Sequence, residues 1–187
     1  MRLDKPRIAP MTDAEMGPEQ HEALKEFGPG PILNIFRTLA RAPKALSRFN
    51  AWGGYVLSRR NDLPAREREI VILRVGYLCR SGYEFTQHTR IGLQSGLTAD
   101  EIERIKRGVD AGWSAADAAL IRATDELHAD QFITDATWGE LGRHFTAKQC
   151  MDLVFTVGQY TQVSMMLNTF GVQVEGDQVV DPELKVR

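Results

Sequence analysis

REREIVILRVGYLCRSGYEFTQHTRIGLQSG, residues 66–96, decides how the rest of the chain is read. Its first half, centred on IVILRVGYLC at 70–79, is apolar on nearly every side of a helix. Such a helix is buried on most faces, at the middle of a bundle or in a subunit interface. An apolar run also suits a buried strand, but its length and the helix-forming RERE before it favour helix. The second half opens with Ser81-x-x-Glu84, the capping-box spacing that satisfies two orphan N–H groups at a helix start. That helix is expected to reach Ser95, with Gly96 closing it in the C′ position. Glu84 and His88 stand four apart and share one face. A carboxylate beside an imidazole is an acid/base pair usable near neutral pH. The turn between the two helices is very short, so antiparallel packing is expected. Glu69 then meets His88 if the second helix returns along the first.

Outward from this stretch, every strong signal is helical. Residues 1–16 read as an irregular arm, with Pro6 and Pro10 among mixed charges. Short helices are expected over 18–27 and 32–40, separated by Gly28-Pro29-Gly30-Pro31. Pro43 opens a helix through Arg59, with Leu46, Phe49, Trp52, Val56 and Leu57 as core positions and Gly53-Gly54 as a weak or closely approached point. The central apolar helix should span 65–79. Thr98-x-x-Glu101 and Thr146-x-x-Gln149 are further capping boxes, and Ser114 and Thr134 are further N-caps. The helix from Ala147 to about Thr169 places Met151, Leu153, Val154, Val157, Tyr160, Met165 and Leu167 in the apolar set. The helix before it offers Trp138, Leu141 and Phe145. The last residues, VQVEGDQVVDPELKVR, alternate polar and apolar, as in a small hairpin or an extended tail.

Composition bounds the function. The 187 residues hold 43% hydrophobic and 26% charged residues, the balance of one globular domain with a core. A formal charge of -2 argues against general nucleic-acid binding. No apolar run reaches membrane-span length and no signal-peptide pattern opens the chain, so a cytoplasmic location is expected. The two cysteines, Cys79 and Cys150, form no C-x-x-C and no zinc pattern, and read as small buried hydrophobes.

The candidate chemistry is therefore His88 with Glu84 and Glu69. His88 would transfer a proton while a carboxylate fixes its tautomer. The structural alternatives are concrete. Glu84 serves only as the capping partner of Ser81, Glu69 pairs with Arg66 or Arg74, and His88 is a satisfied core histidine. Tyr83, Arg74, Tyr160 and Asn168 are candidate substrate-binding residues. For Arg74, a buried arginine also calls for a structural ion pair. His21, His128 and His144 read as surface residues. No ligand spacing supports a metal.

At these residues the sequence resembles the carboxymuconolactone decarboxylase family, which shares its fold with AhpD-like alkylhydroperoxidases. The resemblance rests on RERE at 66–69, CRSGYEFTQH at 79–88 and IGLQSGLTADEI at 91–102. GQYTQVSMMLNTFGV at 158–172 is similar in a looser way. It implies an all-α, AhpD-like helical bundle over 17–172, between the arm 1–16 and a tail 173–187. Such bundles assemble as dimers, trimers or hexamers. The peroxidase branch carries C-x-x-C ahead of the motif histidine, and here those two places are Ser81 and Glu84, with Glu69 at the upstream glutamate place. The resemblance thus implies cofactor-independent decarboxylation of a small cyclic carboxylic acid, such as a lactone, with His88, Glu84 and Glu69 catalytic. Peroxiredoxin-like antioxidant chemistry is the alternative disfavoured by the missing dithiol, and a non-catalytic oligomeric binding protein is the third reading. The expected partners are a small molecule and further copies of the chain, with no nucleic acid, membrane, metal or cofactor.

Overall fold

The computed structural model describes residues 1–185, and these form helices joined by short connections, with no strand among them. In order they are α1 (Pro18–Leu24), α2 (Asn34–Leu39), α3 (Pro43–Leu57), α4 (Ala65–Leu78), α5 (Gly82–Gln94), α6 (Ala99–Arg107), α7 (Ala115–Asp130), α8 (Asp135–His144) and α9 (Ala147–Phe170). Of the two forms expected for the last residues, a hairpin or an extended tail, the hairpin is absent from the described part. That segment runs irregularly to a 3-10 turn at Pro182–Leu184, and residues 186 and 187 lie outside the described residues. No helix among the described residues is long and apolar enough to cross a membrane.

Helix α4 is the axis of the bundle. It packs against α5, α6, α7 and α9, and every residue from Glu69 to Gly76 is buried. Val71, Ile72 and Val75 face the main core with Leu120 of α7 and Leu153 of α9. Ile70 and Leu73 face a second core with Phe85, Ile105 and the tail residues Val180 and Leu184. The apolar run is thus the middle of the chain's own bundle rather than a subunit interface. Removing such side chains from water on all sides is the main favourable term for its position.

The α4–α5 junction explains the site geometry. Arg80 adopts a left-handed conformation (φ 52). Its N–H bonds Tyr77 O, and the N–H of Ser81 bonds Gly76 O, the paired pattern that closes a helix end. Ser81 is also the N-cap of α5. A capping box needs the N-cap N–H to receive the side chain three residues on, but here α4 has already taken that N–H. Ser81 makes no side-chain cap bond, so the expected box with Glu84 does not form. The boxes expected at Thr98 and Thr146 do form.

Gly92 lets α5 lie close along α4, whereas a Cβ on Gly76 would make only an ordinary contact, 3.5 Å from Glu84 Cγ. On Gly92 it would stand 3.0 Å from Leu97 Cδ1 and 3.3 Å from Leu73 Cδ1. Antiparallel packing at this distance brings His88 level with Glu69.

Several expected core residues are instead exposed: Trp52, Leu57, Trp138, Met151, Val154 and Met165. They lie on the outer faces of α3, α8 and α9, where their helices have no further layer to meet.

Arg74 and Arg66 are claimed elsewhere. Arg74 Nε is 2.6 Å from Asp125 Oδ1 and its Nη1 donates to Ile105 O at 2.8 Å. Arg66 binds Asp117 and Glu101. Neither pairs with Glu69. Arg74→Met should lower stability by about 2–3 kcal/mol, because Asp125 and two carbonyls lose their donor. Urea unfolding measures this, and a midpoint equal to wild type would show the pair contributes nothing.

Candidate active site

Glu69 on α4 and Glu84 and His88 on α5 converge below a cavity of about 370 Å³. His88 Nδ1 is 2.7 Å from Glu69 Oε2. Its Nε2 is 3.0 Å from Glu84 Oε1. The second contact is off the N–H direction, since Glu84 Oε1 has no aligned hydrogen bond. Glu69, Glu84 and His88 are 1%, 4% and 6% exposed. His88 and Glu84 line the cavity, whereas Glu69 is not among its lining residues and stands behind the imidazole.

Two carboxylates set the charge of the imidazole. Burial pushes the His88 pKa down, but the Glu84 charge and the hydrogen bond that Nδ1–H donates to Glu69 outweigh it and raise the value to about 10. A value raised this far favours the imidazolium at neutral pH. Its off-axis Nε2–H leaves a proton available to a molecule in the cavity. Among the described residues no group of three or more His, Cys, Asp or Glu is arranged to hold a metal ion.

The cavity is largely apolar. Phe27, Phe36, Phe49, Tyr83 and Tyr160 contribute aromatic walls. Tyr160 packs edge-on to His88, with ring centroids 4.9 Å apart. Burial, then the charges of Glu84 and Glu69, hold its phenol well above the ordinary value, so it stays protonated. Tyr83 is also raised, by burial and by its hydrogen bond to Glu175.

Of the sequence candidates for substrate binding, Tyr83 and Tyr160 reach the cavity and the other two do not. Arg74 is engaged on the α6–α7 side, with Asp125 and Ile105 O. Asn168 Nδ2 donates to Cys79 O at 2.9 Å, which ties α9 to the end of α4. His21 and His144 are exposed, while His128 is half-buried with Nδ1 3.7 Å from Cys79 Sγ. Cys79 and Cys150 are free thiols, and neither lines the cavity.

The sequence reading missed Glu175, Gln87, Arg90 and Gln159. Glu175 lies in the irregular tail, where no periodicity marks it. It accepts from Tyr83 Oη at 2.6 Å and from the Asn34 N–H at 2.8 Å, and Gln87 also donates to it. It thus fixes one cavity wall from outside the helical bundle. Gln87 and Arg90 flank His88 in sequence, and Gln159 precedes Tyr160. All three line the cavity.

Residues 43–125 match the carboxymuconolactone decarboxylase family. Among solved structures, the chain is similar to a protein from Agrobacterium tumefaciens described as a candidate antioxidant defence protein AhpD. The TM-score is 0.69 at 17% identity, covering 74% of this chain and 96% of that one. It is also similar to a variant of the debrominase Bmp8 in complex with 2,3,4-tribromopyrrole, with a TM-score of 0.75 at 10% identity over 92% of this chain and 94% of that one. A peroxidase-related protein from Silicibacter sp. gives a TM-score of 0.73 at 17% identity, covering 95% of this chain and 93% of that one. At these identities the likeness is one of fold. A comparison with curated proteins finds no match.

The raised His88 pKa makes stability depend on pH in a fixed direction. The folded value lies above the ordinary 6.5. The stabilisation is therefore complete below that ordinary value and is lost as pH rises through about 10. Wild-type protein should lose a few kcal/mol of unfolding free energy across this window. His88→Gln should flatten the slope. Urea unfolding at stepped pH reads both, and a wild-type stability that rises through the window would contradict the charge state.

Proposed function

We propose that this chain, which matches the carboxymuconolactone decarboxylase family over residues 43–125 and carries the AhpD-like fold, is a cofactor-independent, decarboxylase-type enzyme acting on a small cyclic carboxylic acid. One observation carries the reading: a histidine, flanked by two buried carboxyl side chains, lies at the floor of an apolar cavity. In the proposed reaction the bond between the ring and its carboxylate breaks and CO2 leaves. The electron pair passes into the ring's conjugated carbonyl. His88 gives its Nε2 proton to the resulting anion and is reprotonated from solvent, so one proton is consumed per turnover. Glu69 holds the imidazole from behind. Glu84 keeps it charged and, beside a substrate carboxylate, favours the state from which CO2 has gone. The apolar walls exclude water from the anion.

The protein is also proposed to self-associate. With α4 buried inside its own chain, the apolar surface available for this is on α3 and α9. There Trp52 stacks on Tyr55 and packs edge-on to Phe155, beside exposed Met151 and Val154. Charged substitution of Trp52 and Met151 together should reduce the mass measured by light scattering. A monomeric wild type would remove this proposal.

His88→Gln should lower the rate of CO2 release from a carboxylated lactone by about 100-fold or more. Because the acid form of His88 is required, the wild-type rate should persist through neutral pH and fall as pH rises towards about 10. Glu69→Gln should move that fall to lower pH, since the negative charge that helps hold the proton is lost. A rate retained in His88→Gln, or one already lost as pH rises through the ordinary histidine value, would sink the assignment.

A further inference from the structure

Two tyrosines line the cavity, and their hydroxyls are used differently. Tyr83 on α5 donates its Oη–H to Glu175 at 2.6 Å, so that group is committed to the tail. Tyr160 on α9 is 5% exposed and lines the same cavity. Among the described residues its Oη makes no hydrogen bond, and it is not one of the sealed unpaired atoms. The hydroxyl therefore opens to the cavity. Neighbouring amides on the cavity wall are engaged as donors: Asn50 to Ala23 O, and Gln87 to Glu175 and Gln178. A donor left free at a cavity wall is one that a bound molecule can use.

Its place suits a reaction that builds negative charge. Tyr160 meets His88 edge-on, with ring centroids 4.9 Å apart and planes at 82°. A molecule in the cavity thus meets a proton donor on α5 and a phenol on α9 side by side. Loss of CO2 moves an electron pair onto the ring carbonyl oxygen. Glu84 lines the cavity on α5 and Glu26 lines it from the Lys25–Phe27 turn, so an oxyanion is repelled on those sides. Of the two cations that line it, His88 is needed for the carbon and Arg90 is exposed. From α9 no acidic side chain among the described residues lines it. Burial, and then the charges of Glu84 and Glu69, keep the Tyr160 phenol from ionising. It can therefore give a hydrogen bond and keep its proton.

We infer that Tyr160 is a second catalytic residue, whose Oη–H hydrogen-bonds the carbonyl oxygen of the substrate as that oxygen takes up the negative charge. The electron pair from the bond to the departing CO2 comes to rest on this oxygen. His88 then protonates the ring carbon, the carbonyl re-forms, and Tyr160 ends the turnover with its own proton in place. The bond is stronger to the charged oxygen than to the neutral carbonyl, and that difference lowers the barrier. This inference rests on the decarboxylase reading of the same cavity.

Tyr160→Phe removes the hydroxyl and keeps the ring beside His88. The probe is tetronate, a lactone that exists as a stable enolate at neutral pH. In calorimetric titration wild type should bind it about tenfold more tightly than Tyr160→Phe, the worth of one hydrogen bond to a charged oxygen. On a carboxylated lactone, kcat should fall about 100-fold with little change in KM. The thermal midpoint of the variant should equal or exceed that of wild type, because the hydroxyl has no partner in the fold. Equal affinity for tetronate in the two proteins overturns the inference, as does no binding by wild type. A loss that falls on KM alone, or a lower thermal midpoint in Tyr160→Phe, overturns it as well. Failure of the decarboxylase reading has a different signature: wild type would release no CO2 from lactone acids while its Tyr160-dependent affinity for tetronate stood.

Discussion

A helix packed on every side leaves its charged residues no route to water. Helix α4 carries Glu69 and Arg74 within its fully buried stretch, and much of the surrounding structure satisfies these two groups. Arg74 draws in Asp125 of α7 and the carbonyls that end α6. Glu69 draws in His88 of α5. An unpaired charge in that position would cost several kcal/mol, so the packing partners of α4 are chosen by charge as well as by shape. The two requirements face different ways. One is met with a permanent cation and a carboxylate, and stabilises the fold. The other is met with a titratable ring beside a cavity, and creates a site.

The junction between α4 and α5 decides what Glu84 does. Ser81 has to end one helix and begin another, and its single N–H cannot serve both. The closing bond to Gly76 O takes it. Glu84 is thereby released from the helix end. It turns towards His88, one turn along α5. The local competition at one backbone N–H thus puts a second carboxyl side chain on the imidazole, and its charge raises the pKa of the ring.

Sequence reading succeeds here wherever the deciding contacts are local. The fold class and most helix limits follow from apolar periodicity and from caps such as Thr98, Ser114, Thr134 and Thr146. Glu69, Glu84 and His88 were also legible, because a short turn between two helices fixes their register. What was not legible depends on more distant contacts. The Ser81-x-x-Glu84 spacing is a proper capping box, and only the closing geometry of the preceding helix disqualifies it. Arg74 in an apolar run signals a needed partner but not which face it occupies, and the partner proved to be Asp125, away from the cavity. Glu175 carries no local signal at all. It becomes part of the site because the tail folds back over α2 and α5, which no pattern within the tail encodes. Trp52, Met151 and Met165 look like core residues by type, yet the chain supplies no layer to cover them.

Ser81 and Glu84, at the places where the resembled peroxidase pattern carries a dithiol, leave the cavity without a thiol. Thiol chemistry needs a thiolate beside a group that can accept its proton. Ser81 is fully buried with an unpartnered hydroxyl and cannot be oxidised and reduced as a thiol can. The nearby Cys79 does not reach the cavity, and burial pushes its thiol up, away from the thiolate. The change at Glu84 has the larger effect, because it alters the histidine as well as removing a sulfur. A neutral thiol at that position would leave the imidazole beside one carboxyl group alone. A carboxyl side chain there adds a second, and its charge strengthens the histidine's hold on its proton. That shifts the group at the cavity from proton acceptor towards proton donor, the role that the proposed decarboxylation asks of it.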